Sequence, residues 1–137
     1  MKWLNYIANI EQVIIMFDLG KELAGELSKY NVEITKEIKN IIKNEAKILA
    51  ENIKNESPDR TGIYKDGWKS EAESDTPFGA VYIVYNKNAP QLTHLLEYGH
   101  ATRNGGRVEG AKHIEPNEKK TIERVQQSIV EVINNGN

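Results

Sequence analysis

Apolar residues recur at helical intervals in three parts of the chain. Ile34, Ile38, Ile41, Ile42, Leu49 and Ile53 form one stripe, with Ala46 and Ala50 at its smaller positions. Lys36, Glu37, Lys39, Lys43, Lys47, Glu51 and Lys54 lie off it. This pattern predicts a long amphipathic helix from Val32 to Ile53 with a solvated charged face. Pro58 biases Ser57 away from helical torsions, so the helix should end in Asn55–Asp59. Ile122, Val125, Ile129, Val132 and Ile133 predict a second helix, opened by Glu115-Pro116 and frayed from Asn134 onward. Leu4, Ile7, Ile10, Val13, Ile14 and Phe17 also fit one helical face. Residues 1–17 are therefore expected to be a helical extension, either docking on a neighbour or packing on its own core. The main domain should then occupy 18–137, with Asp18 as a helix cap and Gly20 and Gly25 weakening the turns after it.

Between the helices the period changes. Ile63-Tyr64-Lys65-Asp66-Gly67-Trp68-Lys69 reads as a first strand, and the polar run Glu71–Phe78 as its fraying end or a turn. Ala80–Asn86 is dense in β-branched and aromatic residues and reads as a strand. Tyr82 and Val84 share one face; Val81, Ile83 and Tyr85 share the other. Two apolar faces imply a central strand with a helix on at least one side. Gln91–Tyr98 predicts a two-turn helix stopped by Gly99. Residues 100–112 are too glycine-rich for a helix. They suit an extended hairpin or a mobile loop around Asn104-Gly105-Gly106. The fold class is α+β: a long amphipathic helix and a C-terminal helix packed on a small antiparallel sheet, with a glycine-rich basic loop.

A chain of 137 residues is the size of a single domain and can bury a core without staples. It has no cysteine, which excludes disulfides and thiolate metal sites. A net charge of −2 disfavours a dedicated nucleic-acid binder. The N-terminal apolar segment is interrupted by Asn5, Asn9, Glu11 and Gln12, unlike a signal peptide. No apolar run approaches the ~20 residues a membrane helix needs. The expectation is a protein that is cytoplasmic where it is made.

Three chemistries can be weighed. His94, Glu97 and His100 stand at steps of three, whereas a helical zinc pair needs histidines four apart. Six residues place two side chains ~120° apart around a helix. A metal would need His113 from the far side of the loop. The alternative is that Glu97 and His100 cap the loop while His113 satisfies backbone where the chain re-enters the core. No metal and no cofactor are expected. No serine or threonine occupies an elbow-like turn, and Gly105-Gly106 lacks the flanking elements and the Lys-Ser/Thr ending of a phosphate loop, so an enzyme is not expected. What remains is a basic loop with Arg103 and Arg107 at its tip, suited to carboxylates of a protein partner or to DNA phosphate.

Ser57-Pro58-Asp59-Arg60-Thr61-Gly62, then Trp68, then Leu92-Thr93-His94-Leu95-Leu96-Glu97-Tyr98-Gly99-His100-Ala101 and Arg103-Asn104-Gly105-Gly106-Arg107-Val108 resemble the small head–tail joining, or tail-completion, proteins of tailed bacteriophages and prophages. The similarity runs from about Phe17 to Ile133. Glu109 stands where the pattern leads one to expect proline. The resemblance implies a structural virion protein of the neck that joins or terminates the tail at its head-proximal end. It implies a homo-oligomeric ring, six copies being one option, meeting the tail tube or tail terminator and the connector. DNA would touch it only in passing through the ring, and assembly would take place in the host bacterial cytoplasm. On this basis His100, Arg103, Asn104, Gly105, Gly106, Arg107, Lys112 and His113 are expected to bind a partner. Arg60, Gly62, Trp68, Glu97 and Gly99 are expected to be structural. A nucleic-acid-binding module using residues 100–113 is the alternative.

Overall fold

The computed structural model describes residues 4–9, 12–17, 32–58, 60–76 and 79–135, with the first two stretches described in backbone only. The helix cap expected at Asp18 and the turns at Gly20 and Gly25 lie outside the described residues.

Helix α1 spans Val32–Glu56 and stops where Pro58 predicts. Its stripe of Ile38, Ile42, Ala46, Leu49, Ala50 and Ile53 is buried. Ile41, expected in the core, is only half-buried, because Ile42 takes the inward position one residue on. The stripe packs on β3 (Trp68–Thr76) and β4 (Gly79–Asn86), and on the C-terminal helix α3 (Glu115–Asn135). Arg124 of α3 donates to Glu45 of α1 at 3.1 Å. Val125 and Ile129 complete the core from the α3 side.

Strand β4 is central. It pairs antiparallel with β3 on one side and with β2 (Gln12–Phe17) on the other; β1 (Leu4–Asn9) pairs with β2. The strand order is β1-β2-β4-β3. Ala80, Tyr82 and Val84 turn one face of β4 into the core under α1. Two expectations are corrected. The N-terminal segment is a pair of strands, not a helix. Contiguous Val13-Ile14-Ile15-Met16-Phe17 suits a strand as well as a helix face, and periodicity does not separate the two in short apolar runs. Pairing of Ile14–Phe17 with Tyr85–Tyr82 decides for the sheet. The third strand begins at Trp68, so Ile63 and Tyr64 lie in a turn followed by a single 3-10 turn at Lys65–Gly67. Its body is the polar run expected to be a turn or the fraying end of the strand. An edge strand that is exposed along most of its length carries no apolar alternation to read.

Helix α2 (Leu92–Tyr98) ends at Gly99, and a small hairpin of β5 (Gly99–Ala101) and β6 (Arg107–Glu109) follows. Among the described residues no helix is long and apolar enough to cross a membrane.

Leu49 is fully buried and its neighbour Ile48 is 42% exposed. Leu49→Ala is expected to cost about 2–5 kcal/mol in urea unfolding. Ile48→Ala should stay within about 0.5 kcal/mol, as at a surface site. Equal effects would show that α1 does not pack by this face.

Candidate functional site

Residues 99–112 form a finger that leaves the body at α2 and returns at α3. Gly99↔Glu109, His100↔Val108 and Ala101↔Arg107 pair its strands. Thr102 donates its N–H to the Gly106 carbonyl at 2.9 Å and closes the tip. Of the two alternatives open from the sequence, the paired hairpin is the one formed. Every residue from His100 to Lys112 is exposed. Arg103, Asn104, Gly105 and Gly106 make the tip, and Gly105 supplies the turn with φ 82°.

The base of the finger depends on two glycines. Gly99 has φ 80°, and a Cβ there would collide with the Val108 carbonyl oxygen. A Cβ on Gly110 would collide with the Glu97 carbonyl oxygen. The outgoing and returning chains therefore cross at a separation that only glycine permits. Gly99 was expected from its helix-stopping position; Gly110 was not singled out. Ala111 N–H donates to the Leu96 carbonyl at 2.8 Å just beyond the crossing.

Below the crossing lies a buried carboxylate. Glu97 is 1% exposed. Its Oε1 accepts the N–H groups of His113 at 2.8 Å and Ile114 at 2.9 Å, and its Oε2 accepts that of Glu115 at 2.9 Å. These are free donors at the start of α3, where an anion is also favoured by the helix dipole. Pro116, next in line, has no N–H to satisfy. One side chain at the end of α2 thus caps α3 from outside. Asn117 donates to the His113 carbonyl at 2.7 Å and to Glu56 of α1, which ties the same corner to the long helix.

His113 extends the network inward. Its Nδ1 lies 2.7 Å from the Ala111 carbonyl and 3.1 Å from Glu97 Oε1, both acceptors, so Nδ1 carries a proton. Nε2 then accepts the Tyr64 hydroxyl proton across 2.6 Å. The rings of Tyr64, Trp68 and His113 meet edge to face at centroid distances of 5.6–6.3 Å. Trp68 donates to Ser57 Oγ at 2.9 Å, and Ser57 donates to the Ile53 carbonyl at 2.6 Å. Asn86 donates to the Tyr64 carbonyl at 2.7 Å. Glu97, His113, Tyr64 and Trp68 are each 5% exposed or less. The carboxylate–imidazole–phenol chain is thus buried, joins α1, β3, β4, α2 and α3, and ends at Tyr64.

The remaining candidates separate. His94 is exposed, its ring 5.0 Å from that of Tyr98. His100 is exposed on β5 and does not cap the loop; Glu97 alone reaches the backbone that needs capping. His113 faces the core and is no part of an accessible binding loop. Among the described residues no group of three or more metal-capable side chains forms. Arg107 donates to the Tyr98 carbonyl at 2.6 Å, and Lys112 lies 3.9 Å over the Tyr98 ring and 3.2 Å from Glu115. Arg103 has no ion-pair partner among the described residues. Gly62 has φ 84° and accepts the Asp66 N–H at 2.9 Å. Arg60 is exposed and lines a groove of about 660 Å³ together with Pro58, Ile63, Leu92, Leu96 and Tyr64, the phenol end of the network. Tyr64 and Asn86 were missed as site residues: nothing in the sequence distinguishes a core tyrosine that receives a histidine from one that only packs.

Burial would raise the Glu97 carboxyl, but the His113 side chain and three backbone N–H groups outweigh it and hold the group down at about 2, against an ordinary 4.5. A depressed carboxylate stabilises the fold fully above pH 4.5, and that contribution is lost as pH falls toward about 2. Glu118, half-buried one turn into α3, is displaced the other way. Burial and then the charges of Glu115 and Glu97 push it up to about 7. Its contribution is present below pH 4.5 and lost as pH rises through about 7. Urea midpoints at pH 3, 5 and 8 should therefore show Glu118→Gln stabilising at pH 8 and neutral at pH 3. Glu97→Gln should cost about 3 kcal/mol or more at pH 5 and less at pH 3, because it aims a donor at donors. A pH-independent effect of either substitution would contradict the assignment.

Comparison with known proteins adds one match. A family model described as "Bacteriophage HK97-gp10, putative tail-component" matches residues 21–99, more than half of the chain. No curated protein and no solved structure matches significantly. The matched span includes α1, β3, β4 and α2 and ends at Gly99, where the finger begins. The chain belongs to the HK97-gp10-like family of bacteriophage tail components.

Proposed function

We propose that this tail component is a subunit of the phage neck. It joins or terminates the tail at its head-proximal end by forming a ring between the tail tube or tail terminator and the connector. It works by surface complementarity and not by catalysis, and it resides in the virion after assembly in the host cytoplasm. The observation that supports this reading most is the finger. Thirteen consecutive exposed residues, His100 to Lys112, stand on a base fixed by Glu97. The core does not need them, since they bury no apolar side chain, and Val108 is 47% exposed. A projecting element on a rigid base suits docking, because less freedom remains to be lost on binding.

The nucleic-acid alternative is weakened by the same geometry. Arg107 and Lys112 are already engaged with Tyr98 and Glu115, leaving Arg103 as the finger cation without a partner among the described residues. One phosphate contact gives a shallow salt dependence and little affinity.

Arg103→Ala combined with Arg107→Ala should shift the monomer's melting temperature by no more than about 3 °C, since both are surface sites. In a phage lacking its own copy, complementation with this variant should yield separate heads and tails by negative stain, where the wild type yields joined particles. Joined particles at wild-type yield would rule out the finger as the docking element. Tight duplex binding that falls steeply with salt would favour the nucleic-acid module instead.

A further inference from the structure

The structure contains a surface on the same chain that complements the finger. Strand β3 ends the β1-β2-β4-β3 order and is an edge among the described residues. Its exposed side chains include Glu71, Glu73 and Asp75 against the single base Lys69. Glu71 accepts the Tyr85 hydroxyl at 2.7 Å, and Asp75 pairs with Lys39. Glu73 has no partner among the described residues. It is also the extra residue of a bulge: Ala72 faces Tyr82 and Ser74 faces Val81, so nothing on β4 lies opposite Glu73.

A bulged edge resists simple sheet extension, and an acidic edge repels a second copy of itself. Symmetric edge-to-edge pairing is therefore disfavoured. The finger has the opposite charge, with Arg103, Arg107 and Lys112 against Glu109. Among the described residues the finger turn thus presents the unpaired Arg103 and the bulge the unpaired Glu73, while Lys69, also unpaired, stands at the start of β3. A chain with complementary surfaces at two different places associates head to tail, and such contacts close into a ring when the rotation per subunit allows. One exposed ion pair is weak, but a closed ring makes it once per subunit, and breaking one contact does not release a subunit.

We propose that the finger of one copy docks on the β3 edge of the next, with Arg103 pairing with Glu73. This contact rests on the ring reading above and specifies its subunit interface.

Because the chain has no cysteine, crosslinking tests the contact directly. Full-length R103C, E73C and the R103C/E73C double variant would be oxidised mildly in assembled particles or at concentrations where the wild type sediments as an oligomer. The double variant should give a ladder of covalent oligomers ending at the ring number. Each single variant should give no ladder. In parallel, R103E and E73R should each weaken self-association about tenfold or more, and the two together should recover most of it. An oligomer that forms normally in R103E, with no ladder in the double variant, overturns this contact and leaves the ring standing. Wild-type protein that oligomerises neither alone nor on particles overturns the ring reading and the contact with it. A disulfide dimer from R103C or E73C alone would show a symmetric contact and also overturn the proposal.

Discussion

A single carboxylate, Glu97, takes three backbone N–H groups at the start of α3, and much of the molecule is arranged by that. Without an anion at this point, the first turn of a buried helix start would hold unsatisfied donors, each costing about 1–3 kcal/mol. Supplying the anion from α2 fixes the distance between α2 and α3. The chain between them must then leave and return at one place. The Gly99/Gly110 crossing makes that possible, and the residues in excess of the connection form the finger. The exposed finger and the buried network are thus two consequences of one constraint. The cap sits below the core aromatics because His113, whose N–H Glu97 also holds, reaches Tyr64 and Trp68 from there.

This arrangement resembles a catalytic relay in composition. A carboxylate orienting an imidazole that meets a phenol could move protons if a substrate reached the phenol. Here each group has a structural partner: Glu97 holds the start of α3, His113 lies between Glu97 and Tyr64, and Tyr64, at the wall of the groove, packs on Trp68. Glu118 stands half-buried beside the cap. Its carboxyl is raised first by burial and then by the charges of Glu115 and Glu97.

How much of this the sequence discloses depends on how strongly each element is patterned. Helices α1 and α3 are legible because their apolar residues keep one face while lysines and glutamates take the other. Strand β4 is legible because both of its faces carry apolar residues. Strand β3 is not, since an exposed edge of Glu, Ser and Asp looks like a loop until a partner strand is known. The N-terminal strands were hidden by an apolar spacing that fits either period, and their pairing with β4 is a long-range fact. At the site, a capping Glu97 and a backbone-bound His113 were one reading open from the sequence, but that reading paired Glu97 with His100, which is exposed, and His113 was also expected in the binding loop, from which its burial removes it. The contact between them, the inward turn to Tyr64 and the crossing at Gly110 were not legible, because each depends on where two distant segments meet.

The most direct test is amide hydrogen exchange on the free chain, resolved at residues 103–106 and 113–115. If Glu97 holds the start of α3, the amides of His113, Ile114 and Glu115 exchange only as slowly as the core of α1, while those of 103–106 exchange freely. In Glu97→Gln the first group should then approach the second. Rapid exchange at 113–115 in the wild type, or slow exchange there that survives the loss of the carboxylate, would show that the cap does not organise this structure.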